Sequence, residues 1–153
     1  SVLKVIPSGD YQPDNNKLAE ANLKPRLRML VLYYLATRLY YLVVGTGNRS
    51  EISIGYFTKY GDGASDILPL GNLVKKQVQG LAVYLDIPKE IIQKPPSAGL
   101  WVGQTDEAEM GITYDELDRY LLTGHAAEEV KKKIDVRVTG SCHKRALPVV
   151  PPF

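Results

Sequence analysis

The chain has 153 residues, 44% hydrophobic and 24% charged, the balance of an ordinary globular domain with its own core. Lys+Arg 19 against Asp+Glu 17 leaves a formal charge of +2, too weak to argue for nucleic acid or a membrane surface as partner. A single cysteine, Cys142, excludes an intrachain disulfide and a cysteine-built zinc site and points to a reducing, cytoplasmic setting.

Residues 1–22 read as an irregular N-terminal segment, with Pro, Gly, Asn and Asp gathered in a surface loop at 7–16. Leu27, Leu30, Val31, Tyr34 and Leu35 then recur at helical spacing, and Pro25 suits the first turn of that helix. Leu42, Val43 and Val44 form an apolar run without alternation, ending in Gly45-Thr46-Gly47-Asn48. That pattern fits a parallel strand buried on both faces. Residues 39–44, the most apolar stretch, are far too few to span a membrane. Ile67-Leu68-Pro69-Leu70 is a second, weaker strand candidate. Asn72 can cap a helix in which Val74, Val78, Leu81, Ala82 and Leu85 share a face.

Residues 95–111 have no period and much Pro and Gly, a long loop of the kind that is often functional. Thr113 and Glu116 make a capping box for a helix burying Leu117, Tyr120 and Leu121. Ala126, Val130 and Ile134 mark one further helix, and residues 139–153 are Pro-rich and aperiodic. Helix, strand, loop, strand and helix predict an α/β fold on a parallel sheet, with ligands beyond the carboxyl ends of the strands. Two candidate strands make that sheet thin.

The strand end from Gly45 to Glu51 combines small residues, the Thr46 hydroxyl and the Glu51 carboxylate, a hard ligand suited to Mg²⁺. On spacing alone it reads rather as a turn into a helix capped by Asn48 or Ser50, with Glu51 favouring the helix N-terminus. The run from Thr58 to Asp66 sets Lys59, Asp62 and Asp66 in a glycine loop, and a turn alone has no use for Lys59 or Asp66. Lys75 and Lys76 lie at a helix start, against the dipole, where an anion would relieve them. Ser97 offers a hydroxyl to phosphate or to its own turn. Asp106, Glu107, Glu109, Asp115, Glu116 and Asp118 read as loop acids and helix-start charges. His143-Lys144-Arg145 gathers polar and cationic groups near the end, and His125 is assigned no role.

Taken in order, LKPRLRM (23–29), VVGTGNRSE (43–51), GYFTKYGDGASDILPL (55–70), KPPSAGLWVGQTDEAEMGITYDELDRYL (94–121) and HKR (143–145) resemble the ammonia-dependent NAD synthetases. The match makes residues 23–153 the C-terminal part of such a domain. It implies a partial adenine-nucleotide α-hydrolase-like (Rossmann-like) fold, a parallel sheet with flanking helices, and a homodimer. It also implies adenylation of the nicotinate carboxylate of deamido-NAD with ATP and Mg²⁺, then displacement of AMP by ammonia. By the same resemblance Thr46, Lys75 and Ser97 match ATP contacts, and Glu51 matches a Mg²⁺ ligand. Arg26, Lys59, Asp66, His143 and Lys144 match contacts to deamido-NAD. No residue stands out as a general base, so positioning and electrostatics are expected to carry the chemistry.

The sequence departs from the family in one respect. The Ser-Gly-Gly-x-Asp-Ser loop that wraps the ATP pyrophosphate is absent, and Pro7-Ser8-Gly9-Asp10 is not that motif. With the start at Ser1, this predicts a partial chain. The alternative is a catalytically inactive remnant that binds nucleotide or serves as a dimerisation module. An RNA-binding module using 131–133 and 143–145 lacks the aromatic stacking motif that would accompany such charge.

Overall fold

The computed structural model describes residues 13–99, 101 and 103–152. Helix α1 runs from Pro13 to Leu39, so residues 13–22, expected as irregular, form its opening turns. The rest of that expected segment, including Pro7-Ser8-Gly9-Asp10, lies outside the described residues. Pro25 stands in the helix interior rather than at its start. A proline there removes one helix hydrogen bond, and the helix continues because the same turn is held from outside. Pro25 is buried against Gly61, where an added Cβ would come within 3.0 Å of the proline ring. One residue on, Arg26 Nε donates to the Lys59 carbonyl. The helix ends where Tyr40 turns into the left-handed region, φ 56.

The expected parallel sheet is corrected by the structure: among the described residues there is no strand, and the ordered elements are helices. Val44 and Ile67 meet in one isolated parallel bridge. Gly45 N–H donates to Ile67 O at 2.8 Å and Asp66 N–H to Val43 O at 2.9 Å. Val43 N–H, however, donates to a side chain, the Asp66 Oδ2 carboxylate, at 2.6 Å. A carboxylate thus stands where a ladder carbonyl would be. Pro69, which has no N–H to donate, follows two residues after the bridge. Burial on both faces also fails, since Val43 is buried but Leu42 and Val44 are exposed.

After this come α2 (Arg49–Ser53), α3 (Lys75–Tyr84), α4 (Lys89–Ile92), α5 (Asp106–Met110), α6 (Tyr114–Thr123) and α7 (Glu128–Gly140), then a 3-10 turn at Cys142–Lys144. α5 falls within the stretch expected as loop. α3 begins later than expected: Val74, not Asn72, is its N-cap residue, and Gln77 Oε1 accepts the Val74 N–H. The Thr113–Glu116 capping box on α6 is present in both directions. Gly124, at φ 76, supplies the left-handed end of that helix.

The core lies where α5, α6 and α7 meet the segment after α2. Ile54, Met110, Ile112, Tyr114, Leu117 and Ile134 are buried together, with Leu121 and Val130 against them. Full burial of one such aliphatic side chain contributes about 1.5–3 kcal/mol. The apolar faces predicted for α1 and α3 fare differently. Leu30, Val31, Tyr34 and Leu35 are exposed, as are Leu81 and Leu85, while Val74 is fully buried. Their spacing is helical, but no described element covers them. Among the described residues no helix is long and apolar enough to cross a membrane.

Candidate functional site

Asn48 caps α2, its Oδ1 accepting the Glu51 N–H at 3.0 Å, and Glu51 Oε2 accepts the Asn48 N–H in return. That uses one carboxylate oxygen of Glu51. The other, Oε1, faces Lys75 Nζ at 3.0 Å and the Tyr114 hydroxyl at 3.4 Å. Glu51 therefore both closes the helix cap and pairs with Lys75. Lys75 Nζ also lies 4.8 Å from the centre of the Tyr114 ring, a cation–π contact. The Lys75 and Glu51 side chains are about one-fifth exposed (20% and 18%), so their attraction is only partly screened.

Lys75 begins α3, where the dipole disfavours a cation, and Glu51 offsets that cost. The first N–H groups of α3 find their acceptors within the chain. Lys75 N–H donates to Ser50 Oγ at 3.0 Å and Lys76 N–H to Asp118 Oδ2 at 2.8 Å. Ser50 Oγ in turn donates to Asp118 Oδ1. Asp118, a buried carboxylate on α6, thus caps the start of α3. Lys76 remains at the surface, loosely paired with Asp115 at 3.9 Å.

A second polar group backs the ion pair. The Tyr114 hydroxyl donates to Asp106 Oδ2 at 3.0 Å, and the Tyr56 hydroxyl lies 3.2 Å from Asp106 Oδ1 and 2.7 Å from Glu109 Oε2. Burial first, then the neighbouring carboxylates, push both phenols far above the ordinary tyrosine range. They stay protonated and act as donors. Asp106 opens α5, its N–H donating to Pro96 O, so this cluster also anchors the stretch that carries Ser97. Asp106, Asp118, Tyr56 and Tyr114 were not singled out as site residues in the sequence. One signal was available: Tyr114, Leu117, Asp118 and Leu121 share one helix face, so Asp118 interrupts a buried stripe.

Two clefts of about 300 and 310 Å³ open on either side of these residues. The first is lined by Thr46, Gly47, Phe57 and Lys144, the second by Lys75, Lys94, Ser97 and Asp106. Glu51, Tyr56 and Asp62 line both. Each cleft is at the small end for a ligand site. Of the residues the resemblance assigns to ATP and Mg²⁺, Thr46 lines the first cleft, Lys75 and Ser97 the second, and Glu51 both. Ser97 Oγ accepts the Gly99 N–H at 3.1 Å, a turn contact.

Of the second set, Arg26, Lys59, His143 and Lys144 gather around the 55–59 segment. Lys59 Nζ donates to His143 O at 2.6 Å and lies over the Tyr60 ring. Lys144 Nζ donates to the carbonyls of Gly55 and Phe57, both at 2.8 Å. Burial pushes its pKa below the usual lysine range, while Asp62 pulls in the opposite direction. Asp66 is not part of this group: its carboxylate is taken up by Val43 N–H and the Tyr33 hydroxyl.

Comparison with known proteins gives one consistent result. The family model described as NAD synthase matches residues 2–148. The chain is 58% identical to the NH(3)-dependent NAD(+) synthetase of Carboxydothermus hydrogenoformans, over 92% of the chain and 57% of that protein. It is 47% identical to that of Methanocaldococcus jannaschii, over 98% of the chain and 64% of the relative. Among solved structures, NMN synthetase from Francisella tularensis superposes with a TM-score of 0.87 at 44% identity, covering 99% of this chain and 60% of that one. The NH3-dependent NAD synthetase of Campylobacter jejuni gives 0.67 at 26% identity, covering 94% and 58%. The chain spans little more than half the length of the relatives it matches.

Proposed function

Since the chain belongs to the NAD synthase family, we propose that it serves ATP-dependent amidation of deamido-NAD to NAD with ammonia as the nitrogen donor. In the first step a carboxylate oxygen of the nicotinate attacks the α-phosphorus of ATP and pyrophosphate leaves. In the second, ammonia attacks the acyl carbon, AMP departs with that oxygen, and a proton is lost. The observation that carries this reading is the Glu51–Lys75 pair, in which Glu51 lines both clefts and Lys75 the second. Thr46 lines one cleft and Ser97 the other, with hydroxyls suited to phosphate oxygens.

Lys75 then binds phosphate charge, and Arg26, Lys59, His143 and Lys144 hold the dinucleotide. Asp66 belongs to the proposed dinucleotide set through the resemblance alone, since its carboxylate is taken up by Val43 N–H and the Tyr33 hydroxyl. Among the described residues there is no group of three or more His, Cys, Asp or Glu side chains placed to hold a metal. A single carboxylate, Glu51, still fits Mg²⁺, which is commonly bound by one or two carboxylates plus substrate phosphates and water. When bound, the ion neutralises charge on the leaving pyrophosphate. A homodimer and a cytoplasmic setting complete the proposal, with neither nucleic acid nor a membrane as partner.

The test is to supply the chain with deamido-NAD, MgATP and ammonium and to quantify NAD and AMP. Equal yields that require all three substrates support the reading. A relative that contains the Ser-Gly-Gly-x-Asp-Ser loop should be much faster, because one preorganised transition-state contact is worth about 10²–10³ in rate. MgATP binding without any turnover supports the inactive remnant, and binding of neither nucleotide refutes both. The likeness to an NMN synthetase favours a second reading, amidation of nicotinate mononucleotide. Competition between the two acids for one pool of enzyme separates them.

A further inference from the structure

Tyr114 has no part in the reading so far, yet it touches both members of the central ion pair and the base of the Ser97 stretch. Its hydroxyl is 3.4 Å from Glu51 Oε1 and 3.0 Å from Asp106 Oδ2, and its ring carries Lys75 Nζ at 4.8 Å. The residue is buried. It stands at the first position of α6, so the capping box of Thr113 and Glu116 fixes its backbone. Its N–H donates to Glu107 Oε1 at 2.8 Å, tying it to α5 as well.

We infer that Tyr114 is a positioning residue for nucleotide binding, holding Glu51 and Lys75 in register with the 95–106 stretch. The ring gives the Lys75 ammonium a second surface besides the Glu51 carboxylate, which limits where it can swing. The hydroxyl has one proton and two carboxylates within reach. Donation to Asp106 is the shorter contact, and it fixes the phenol oxygen beside Glu51. The Asp106 N–H to Pro96 O bond then carries the same constraint to the Ser97 side of the cleft. One tyrosine thereby sets the spacing between the two walls that a triphosphate would bridge. The ligand in this inference rests on the function proposed above; the positioning role rests on the contacts alone.

The experiment is a double-mutant cycle on the whole chain with Tyr114→Phe and Glu51→Gln, read two ways. Calorimetry with MgATP and, separately, deamido-NAD gives affinities; urea unfolding without ligand gives stabilities. Tyr114→Phe keeps the ring and removes one buried hydrogen-bonding hydroxyl, so MgATP affinity should fall about 3- to 10-fold while deamido-NAD affinity is unchanged. The effect should be non-additive with Glu51→Gln in both readouts, because residues in one network couple. Additive effects, or equal weakening of both nucleotides, would overturn the inference and leave Tyr114 as packing only. If Tyr114→Phe does not fold, Asp106→Asn replaces it, and the same non-additivity with Glu51→Gln is required. Failure of the unaltered chain to bind MgATP refutes the nucleotide reading, and the ligand-free cycle then decides the positioning role.

Discussion

Lys75→Ala is the sharpest test of the proposed nucleotide site. In the structure the ammonium lies 3.0 Å from Glu51 Oε1 and 4.8 Å from the Tyr114 ring centre. At that separation the gross attraction is several kcal/mol, but desolvation and side-chain ordering cancel most of it. With about one-fifth of each side chain exposed, the net loss of stability should be about 1–2 kcal/mol. The loss of MgATP affinity should be larger. A charge-assisted hydrogen bond contributes about 1.5–3 kcal/mol, or about 10- to 150-fold in Kd. Glu51, proposed as the Mg²⁺ ligand, makes its own contribution to MgATP binding, so adding Glu51→Gln should lower the affinity further. The assay is calorimetric titration of the chain with MgATP and with deamido-NAD in parallel. Equal weakening for the two nucleotides, or unchanged MgATP affinity, would refute the reasoning.

Three further outcomes are expected. Asp118→Ala removes the acceptor for both Ser50 Oγ and Lys76 N–H, so it should destabilise the chain by about 2–4 kcal/mol in urea unfolding. Thr113→Ala should cost about 1 kcal/mol at neutral pH as a lost helix cap. Glu116 is held below its usual pKa of 4.5 by the Thr113 N–H and then its hydroxyl. That contribution is complete above pH 4.5 and disappears as pH falls through the lowered pKa. The gap between wild type and Thr113→Ala should therefore narrow below pH 4.5, and a constant gap down to pH 2 would contradict it. Gly55→Ala puts a Cβ 2.2 Å from Ser141 Cβ at a φ of 66, so loss of the folded signal in circular dichroism is expected; native stability would show that this contact relaxes easily.

What could be read from the sequence followed the range of each interaction. The Thr113–Glu116 box and the Asn48 cap span three residues and are visible in the chain itself. Leu117 and Ile134 lie on the apolar faces predicted for their helices, and both are buried. Asp106 could not be told from a solvated acid, because its partner Tyr56 is 50 residues away, and Asp118 shows in the sequence only as a break in the apolar stripe of α6, its partner Ser50 being 68 residues off. Pro25 was misleading for the same reason: the Gly61 turn against which it packs is remote in sequence. The sheet was inferred from hydrophobic runs, from the order of the elements and from the resemblance. Such runs record a wish for burial and not the partner, and here Asp66 and Pro69 confine the pairing to one bridge. The grouping of Thr46, Glu51, Lys75 and Ser97 came from the resemblance; in the structure Thr46 lines one cleft, Lys75 and Ser97 the other and Glu51 both, whereas Asp66 stands apart from the other dinucleotide candidates.

The wall common to the two clefts, formed by Glu51, Tyr56 and Asp62, has a thermodynamic consequence. Two molecules, one on each side, would both face the carboxylates of Glu51 and Asp62, so any effect of one on the other is reciprocal. Whatever factor the first introduces into the dissociation constant of the second, the second must return to the first. Four titrations around that square close on the same total free energy whichever side is filled first. Their common ratio measures how strongly one thin partition transmits charge from side to side.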